Sequence, residues 1–201
     1  WAGTAERPYD PPLAQEGAVQ ASELGRRLAA EKIDHIFSSP FLRCVETVNE
    51  VAERLDFPIK LEWGLCEWLN PNWFPSRPET LPFGELASRF PRIDRGYTSR
   101  VTTHFPESAE DTFERVGKSA RRLAGEYPGN LLLVGHGATV QGAVIGLMQQ
   151  SFEEIESSGF TLSQITYCCL FKLINQGVGW HMELNGDTSH LTVCDGGIRF
   201  H

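Results

Sequence analysis

The sequence predicts an α/β fold with a mostly parallel central sheet and helices on both faces. Short apolar segments alternate with longer segments whose apolar residues recur at helical spacing. Segment 130–135 is apolar without alternation, as expected of a strand buried on both faces of a parallel sheet. The length of 201 residues suits a single domain with a sizeable core. We therefore expect one domain over residues 1–201.

The first half of the chain predicts two helix–strand pairs after a proline-rich arm. Apolar residues at helical spacing predict a helix over about 16–30. The apolar segment 33–37 predicts a strand, and helical spacing returns over 40–55. Segment 57–63 predicts a second short strand.

A long insertion at about 63–107 follows. It is rich in proline and aromatic residues and has poor periodicity. Disordered linkers lack aromatic residues, and long loops in compact domains are usually lids or binding loops. We therefore expect this segment to form a lid-like insertion over a binding site.

The second half returns to regular structure. Ser108 followed by Asp111 predicts a capping box at the start of a helix. The buried strand at 130–135 is followed by a predicted helix of small residues over 138–148. Segments 165–175 and 178–186 predict two closing strands in a hairpin.

Composition limits the partners. The net charge of −8 argues against nucleic acid or an anionic membrane, because phosphate contacts need a basic face. Five cysteines without a Cys-x-x-Cys motif fit neither a zinc site nor a disulfide framework, and they favour a reducing compartment. No apolar run approaches a membrane span, and no signal peptide is visible. We expect a cytoplasmic protein without a metal or cofactor.

Arg43 is a candidate anion-binding residue. Ligands of open α/β sheets bind at the carboxyl ends of the strands. With Ser39 as N-cap and Pro40 as the first helical residue, Arg43 falls in the first helical turn. A lone cation there opposes the helix macrodipole, whereas an arginine that shares an anion with the helix N-terminus does not. A solvated arginine or a structural ion pair is the equally weighted alternative.

His136 is the second candidate. It follows the buried strand, lies between Gly135 and Gly137, and precedes a helix. Glycine allows close approach of the backbone to a ligand, and the free N–H groups of the helix start suit a phosphate or carboxylate. We therefore expect His136 to face a ligand, with a structural core histidine as the alternative.

Glu67 opens the aromatic insertion. A carboxyl group against tryptophan side chains in a partly dry site would have a raised pKa and could donate a proton near neutrality. The chain has 26 acidic residues, so a solvated carboxylate is the alternative. No Walker P-loop, G-x-G-x-x-G, H-E-x-x-H or G-x-S-x-G motif is present, and no second His or Cys stands at metal-ligand spacing from His136.

Four segments in order resemble the histidine phosphatase superfamily, which has the phosphoglycerate-mutase-like fold. They are PLAQEGAVQASELGRRL (12–28), IFSSPFLRCVETV (36–48), GLCEW (64–68) and LLLVGHGATV (131–140). Within it the chain is most similar to the branch of ubiquitin-associated/SH3-domain tyrosine phosphatases and insect ecdysteroid-phosphate phosphatases. The resemblance implies metal-independent hydrolysis of phosphomonoesters through a phosphohistidine, in a phosphorylated small molecule or a phosphoprotein.

The resemblance also assigns roles. It makes Arg43 a phosphate-clamping arginine, Glu67 the proton donor and later base, and His136 a phosphate-pocket histidine beside Gly137. The family's nucleophile lies in an Arg-His-Gly motif on the first strand, and no Arg-His-Gly occurs in these 201 residues. We therefore expect the chain to lack its first strand, because Arg43, Glu67 and His136 are all present.

Three alternatives stay open at this stage. A member that has lost the nucleophile would be a catalytically inactive binding or assembly module. The insertion's Trp63, Trp68, Trp73 and Phe74 favour an aromatic or hydrophobic phosphate ester, or else form a small core of their own. A homodimer is also left open.

Overall fold

The computed structural model describes residues 5–157, 165–177 and 179–193. Its helices are α1 (Gln15–Leu28), α2 (Leu42–Leu55), α3 (Phe83–Arg89), α4 (Ala109–Glu126), α5 (Gly137–Met148) and α6 (Phe152–Ser157). Its strands are β1 (His35–Ser38), β2 (Ile59–Leu61), β3 (Leu131–Val134), β4 (Leu170–Asn175) and β5 (Trp180–Asp187). A short 3₁₀ turn spans Trp63–Leu65. None of the helices within the described ranges is both long and apolar enough to cross a membrane.

The central sheet is parallel, with strand order β2-β1-β3. In its register Ile36 of β1 lies opposite Ile59 of β2 and Leu132 of β3. Alternate residues of β1 face opposite sides, so Ile36 packs with α2 residues while Phe37 packs with Leu123 of α4. The predicted α/β class, with a parallel sheet covered on both faces, is confirmed.

Helices α4 and α5 pack with their backbones in close contact. A Cβ added at Gly146 of α5 would lie 2.2 Å from the Cα of Gly117 in α4. One at Gly142 would lie 2.8 Å from the Cβ of Val116. Because α5 has glycine at both points, its backbone can lie this close to α4. The predicted capping box starts α4, with Asp111 N–H donating to Ser108 Oγ at 3.1 Å.

Strand β3 is less buried than its sequence predicts. All four of its residues are only partly buried, although complete burial on both faces is the expectation for such an apolar segment. The reason is its position: β3 pairs with β1 on one side, and no described strand pairs with its other edge. An edge strand has fewer neighbours to cover it than a central one.

Strands β4 and β5 form the predicted antiparallel hairpin. The first of them begins at Leu170 rather than at residue 165, because Cys168 has a left-handed backbone with a φ of 53°. Leu170 of β4 and Leu132 of β3 pack against the same α1–α2 cluster. The two strands thus share a helical cover, yet among the described strands β4 pairs only with β5.

The insertion contributes to the main core as well as to the surface. Leu81, Leu86 and Ile93 are buried with Ile36 in the largest hydrophobic cluster. An isolated parallel bridge joins Ile93 to Ile59 of β2. The segment around α3 is therefore anchored to the sheet.

Candidate functional site

The carboxyl ends of β1 and β3 lie side by side, because Ser38 and Val134 are partners in the sheet register. Ser39 follows β1 directly, and His136 stands two residues after β3. The Ser39 hydroxyl lies 2.8 Å from His136 Nε2, and both residues are buried. The two strand ends singled out in the sequence therefore meet at one place.

Ser39 is not the N-cap of α2, contrary to the prediction. The helix begins at Leu42 with Phe41 as its N-cap residue. The phenyl side chain of Phe41 makes no capping hydrogen bond, because it has no acceptor atom. The buried carboxylate of Asp10 accepts the Leu42 N–H at 2.7 Å and the Leu81 N–H at 3.2 Å. A carboxylate from the N-terminal arm thus caps the Leu42 N–H, while Ser39 Oγ accepts the Phe41 N–H at 3.4 Å and also bonds His136.

Arg43 lies in the first turn of α2, as predicted, and that turn contains no acidic residue. Its guanidinium stacks over the Phe41 ring at 4.9 Å from the centroid. Its Nη2 donates to Glu67 Oε2 at 3.0 Å and also lies 3.0 Å from His136 Nδ1. The anion that offsets this cation is therefore the carboxylate of Glu67.

Glu67 belongs to the insertion, and its side chain contacts residues that follow both strand ends. Its Oε1 accepts the Trp68 N–H at 3.0 Å, and its Oε2 lies 3.1 Å from His136 Nδ1. Burial raises the pKa of this carboxyl, but the neighbouring His136 and Arg43 outweigh burial and lower the pKa to about 2. The expectation of a raised pKa beside tryptophan is wrong for this arrangement, because two cations, and not apolar rings alone, surround the carboxylate.

His136 is the N-cap residue of α5, and its side chain is 4% exposed. Burial alone would lower the pKa of the imidazole, but the Cys44 sulfur and the Glu67 carboxylate raise it to about 9. In the charged form Nδ1–H donates to Glu67 and Nε2–H donates to Ser39 Oγ. Cys44 Sγ lies 3.6 Å from Nε2 on the remaining side.

The glycines around His136 have separate roles. Gly137 is the first residue of α5 and is buried, so the helix N-terminus begins directly after the histidine. Gly135 meets a packing requirement: an added Cβ would lie 2.5 Å from Thr139 Cγ2. The glycine before His136 is therefore explained by the turn itself, and the one after it remains a candidate for ligand approach.

Together these groups form an arrangement that suits an anion. Two cations converge on one carboxylate oxygen, beside the N-terminus of α5, where backbone N–H groups favour negative charge. Ser39 and Cys44 were not predicted as members of the site. Within residues 5–157, 165–177 and 179–193, no group of three or more His, Cys, Asp or Glu side chains is placed to hold a metal ion.

A cavity of about 550 Å³ lies within the insertion and beside Pro40. Its lining combines apolar side chains such as Trp63 and Leu86 with hydroxyl groups and two arginines, Arg77 and Arg95. Arg77 stacks over the Trp63 ring at 5.5 Å. Trp68 and Trp73 instead pack edge to face on each other, with ring centroids 5.0 Å apart.

Comparison with known proteins places this geometry in a family. Two curated relatives are the ecdysteroid-phosphate phosphatase of Drosophila melanogaster and the transcription factor tau 55 kDa subunit of Saccharomyces cerevisiae. The first is 32% identical over 176 residues, which is 80% of this chain. The second is 34% identical over 140 residues, which is 65% of this chain. The chain spans only 23% and 32% of the length of these relatives.

The fold is similar to that of the ecdysone phosphate phosphatase of Bombyx mori, whose crystal structure was solved in complex with tungstate. The two align with a TM-score of 0.72 at 24% identity, covering 96% of this chain and 76% of that one. The family model for branch 1 of the histidine phosphatase superfamily matches residues 2–188. The chain therefore belongs to the histidine phosphatase superfamily.

Proposed function

We propose that the protein hydrolyses phosphate monoesters, without a metal, through a phosphohistidine intermediate. One observation carries the proposal: Arg43 and His136 converge on a single oxygen of Glu67 at the carboxyl ends of β1 and β3. Phosphoryl transfer depends mainly on positioning and on stabilising charge at the equatorial oxygens. A guanidinium, an imidazolium and a helix N-terminus at one point supply that stabilisation.

The phosphoryl group would take the place that the Glu67 carboxylate occupies. Its oxygens would accept hydrogen bonds from Arg43 and His136, with Gly137 at the helix start beside them. Glu67, released from both cations, would recover a higher pKa because the charges that lower it would be spent on the phosphoryl group. The protonated carboxyl could then give its proton to the leaving oxygen and later take one from the attacking water.

The nucleophile in this proposal is a histidine on a further strand. No Arg-His-Gly occurs in the 201 residues. β3 and β4 each have an edge that no described strand pairs with, and both pack under the same α1–α2 cluster. We propose that a strand of the full-length protein lies there and brings its histidine beside His136, so that residues 1–201 are most of a single domain.

The proposed substrate class is supported by the cavity beside Trp63, the residue that precedes Gly64 in the segment leading to Glu67. Trp68 and Trp73 contact each other, and Trp68 Nε1 donates to the Glu107 carbonyl at 3.0 Å, so these rings serve the insertion's own packing. Trp63 lines the cavity together with apolar and hydroxyl side chains. We propose an ester whose alcohol is aromatic or otherwise hydrophobic. Two relatives are named phosphatases of steroid phosphates, which is consistent with this class.

The test is hydrolysis of p-nitrophenyl phosphate by the full-length protein. The proposal predicts turnover that vanadate inhibits and that persists after treatment with a chelator. Absence of turnover, or turnover that a chelator abolishes, would contradict it. The reading frame upstream of Trp1 supplies a second check, because the proposal requires an Arg-His-Gly to be encoded there.

A second candidate is a non-catalytic module for binding or assembly. The observation that favours it is the similarity to a subunit of a transcription factor, together with the absence of Arg-His-Gly from the 201 residues. This candidate predicts no phosphatase activity in the full-length protein and no Arg-His-Gly upstream. The two experiments above therefore separate it from the enzyme.

A further inference from the structure

The segment that carries Glu67 is held at five consecutive backbone carbonyls by side chains of α4 and α5. The guanidinium of Arg115 donates to four of them: those of Trp63 (3.5 Å), Gly64 (3.0 Å), Cys66 (3.3 Å) and Glu67 (3.2 Å). The Thr139 hydroxyl donates to the fifth, that of Leu65, at 2.9 Å. Segment 63–67, here called the acid loop, is therefore shaped by two side chains from outside it.

Arg115 is itself fixed by a buried ion pair. Its Nε and Nη2 donate to the two oxygens of Glu107 at 2.7 and 2.8 Å, in the paired geometry that a planar guanidinium favours. The side chains of Arg115 and Glu107 are 7% and 0% exposed. Glu107 also accepts the Thr112 hydroxyl at 3.1 Å and the Leu69 N–H at 3.4 Å. The pair thus holds the chain on both sides of Glu67.

The acid loop lies directly on α4. A Cβ added at Gly64 would be 2.1 Å from Ser119 Oγ, so only glycine permits this approach. Ser119 is in turn bonded to the Arg115 carbonyl at 2.7 Å. Close contact at Gly64 is what brings the neighbouring carbonyls within reach of a single guanidinium.

The acid loop is tied to the histidine as well. Thr139 stands one turn after His136 in α5, so one helix start positions both the loop and the imidazole. Arg115 donates hydrogen bonds only to backbone atoms of the loop and none to the Glu67 carboxylate. These hydrogen bonds therefore act on Glu67 through the path of the backbone, beside the electrostatic effect of the Arg115 charge on the carboxylate.

We propose that Arg115 is a positioning residue for the reaction, which holds the Glu67 carboxyl at the distance from His136 where it can serve the phosphoryl site. The inference rests on the proposed function. Small errors in the placement of a reacting group can cost about a hundredfold in rate. A lysine at position 115 could still neutralise Glu107, but a point charge with three donors cannot replace a planar fork with five.

The test compares the full-length protein with its Arg115→Lys and Arg122→Lys variants. Arg122 is on the same helix and pairs with Glu126 at the surface, so it is a matched control for the same chemical change. Each protein is assayed on p-nitrophenyl phosphate, which has a good leaving group, and on an alkyl phosphate, which has a poor one. Arg115→Lys is expected to slow the alkyl ester about tenfold more than the aryl ester, because only the poor leaving group needs the proton from Glu67. Arg122→Lys should leave both rates unchanged.

Equal slowing of both esters, or no slowing, would overturn the proposal. If the wild type hydrolyses neither ester, the proposed function fails, and titration of the His136 ring proton by NMR decides the positioning claim alone. Arg115→Lys should then lower the pKa of His136 from about 9 toward its value in Glu67→Gln, and an unchanged pKa overturns the claim. Should Arg115→Lys not fold, Glu107→Gln, which keeps the size of the side chain and the backbone contact to Trp68, is measured and judged in the same way.

Discussion

Two arginine–glutamate pairs lie near each other in this molecule and differ in how completely they are satisfied. Arg115 and Glu107 are 7% and 0% exposed, and both ends of the pair are used in further hydrogen bonds. The side chains of Arg43 and Glu67 are 26% and 16% exposed, and the Glu67 oxygen that Arg43 contacts also lies beside His136. The first pair joins two opposite charges within a closed network, whereas the second places two cations around one carboxylate.

This difference separates a structural role from a binding role. A buried pair whose donors and acceptors are all used has nothing left to offer a ligand. A carboxylate shared by two cations leaves an excess of positive charge, so a doubly charged anion can compete for the same place. One pair thus shapes the acid loop, and the other is the pair that a phosphoryl group would engage in the proposed function.

The largest effect is expected from breaking the closed pair, Arg115–Glu107. Replacing Arg115 with Met leaves Glu107 as a buried, uncompensated charge, which costs about 3–5 kcal/mol of unfolding free energy. Urea denaturation of the full-length protein measures it. The exposed Arg122→Met should stay within about 0.5 kcal/mol of wild type. If Arg115→Met changed the unfolding free energy as little as Arg122→Met does, the Arg115–Glu107 pair would not be a structural element.

Breaking the open pair, Arg43–Glu67, by removing the arginine should lower the rate of hydrolysis and leave the stability nearly unchanged. Arg43→Met removes one donor to the developing charge, and kcat/KM for p-nitrophenyl phosphate should fall by about 10²–10³. The unfolding free energy should change by about 1 kcal/mol or less, since Arg43 is partly exposed and its removal also relieves the repulsion between two like charges, Arg43 and His136. A large loss of stability with unchanged kcat/KM would contradict this assignment, because the Arg43–Glu67 pair would then have a structural role.

Glu67→Gln tests the carboxylate of the open pair. The amide cannot donate an acidic proton, so hydrolysis of an alkyl phosphate should slow about a hundredfold, with a smaller effect on p-nitrophenyl phosphate. Steady-state rates on the two esters give the comparison. Equal slowing of both would remove Glu67 as the acid.

The open pair, together with His136, should also make the unfolding free energy depend on pH. The pKa of His136 is raised from 6.5 to about 9, so its contribution is complete below pH 6.5 and is lost as the pH rises to about 9. The pKa of Glu67 is lowered from 4.5 to about 2, so its contribution is complete above pH 4.5 and is lost as the pH falls to about 2. The wild type should exceed Glu67→Gln in unfolding free energy most clearly between pH 4.5 and 6.5. A difference that grows above pH 9 would have the wrong sign.

Local patterns in the sequence predict much of this molecule. Alternation of strands and helices predicts the class, and the strand-end positions of Arg43 and His136 predict that they meet, because the carboxyl ends of parallel strands share one edge. The partial burial of β3 was not predictable, since it depends on which strand pairs with its second edge. The same apolar letters would serve a central or an edge strand.

The supports of the site come from distant parts of the chain. Glu107 and Arg115 are eight positions apart, which is no helical pair spacing, and Glu107 precedes α4 altogether. Asp10 caps α2 from 32 positions away, so Ser39, the better local cap, was predicted in its place. The lowered pKa of Glu67 likewise depends on two partners that only the fold assembles. Such contacts leave no periodic signal.

The affinity of the full-length protein for inorganic phosphate, measured by calorimetry in wild type and Glu67→Gln, tests the central claim most directly. If the Glu67 carboxylate holds the place of the phosphoryl group, removing its charge should tighten phosphate binding, by about tenfold at a pH near 6, where Glu67 is ionised and His136 is charged. Arg122→Met should bind as the wild type does. Weaker or unchanged binding in Glu67→Gln would contradict the account, because the carboxylate would then not compete with phosphate for Arg43 and His136.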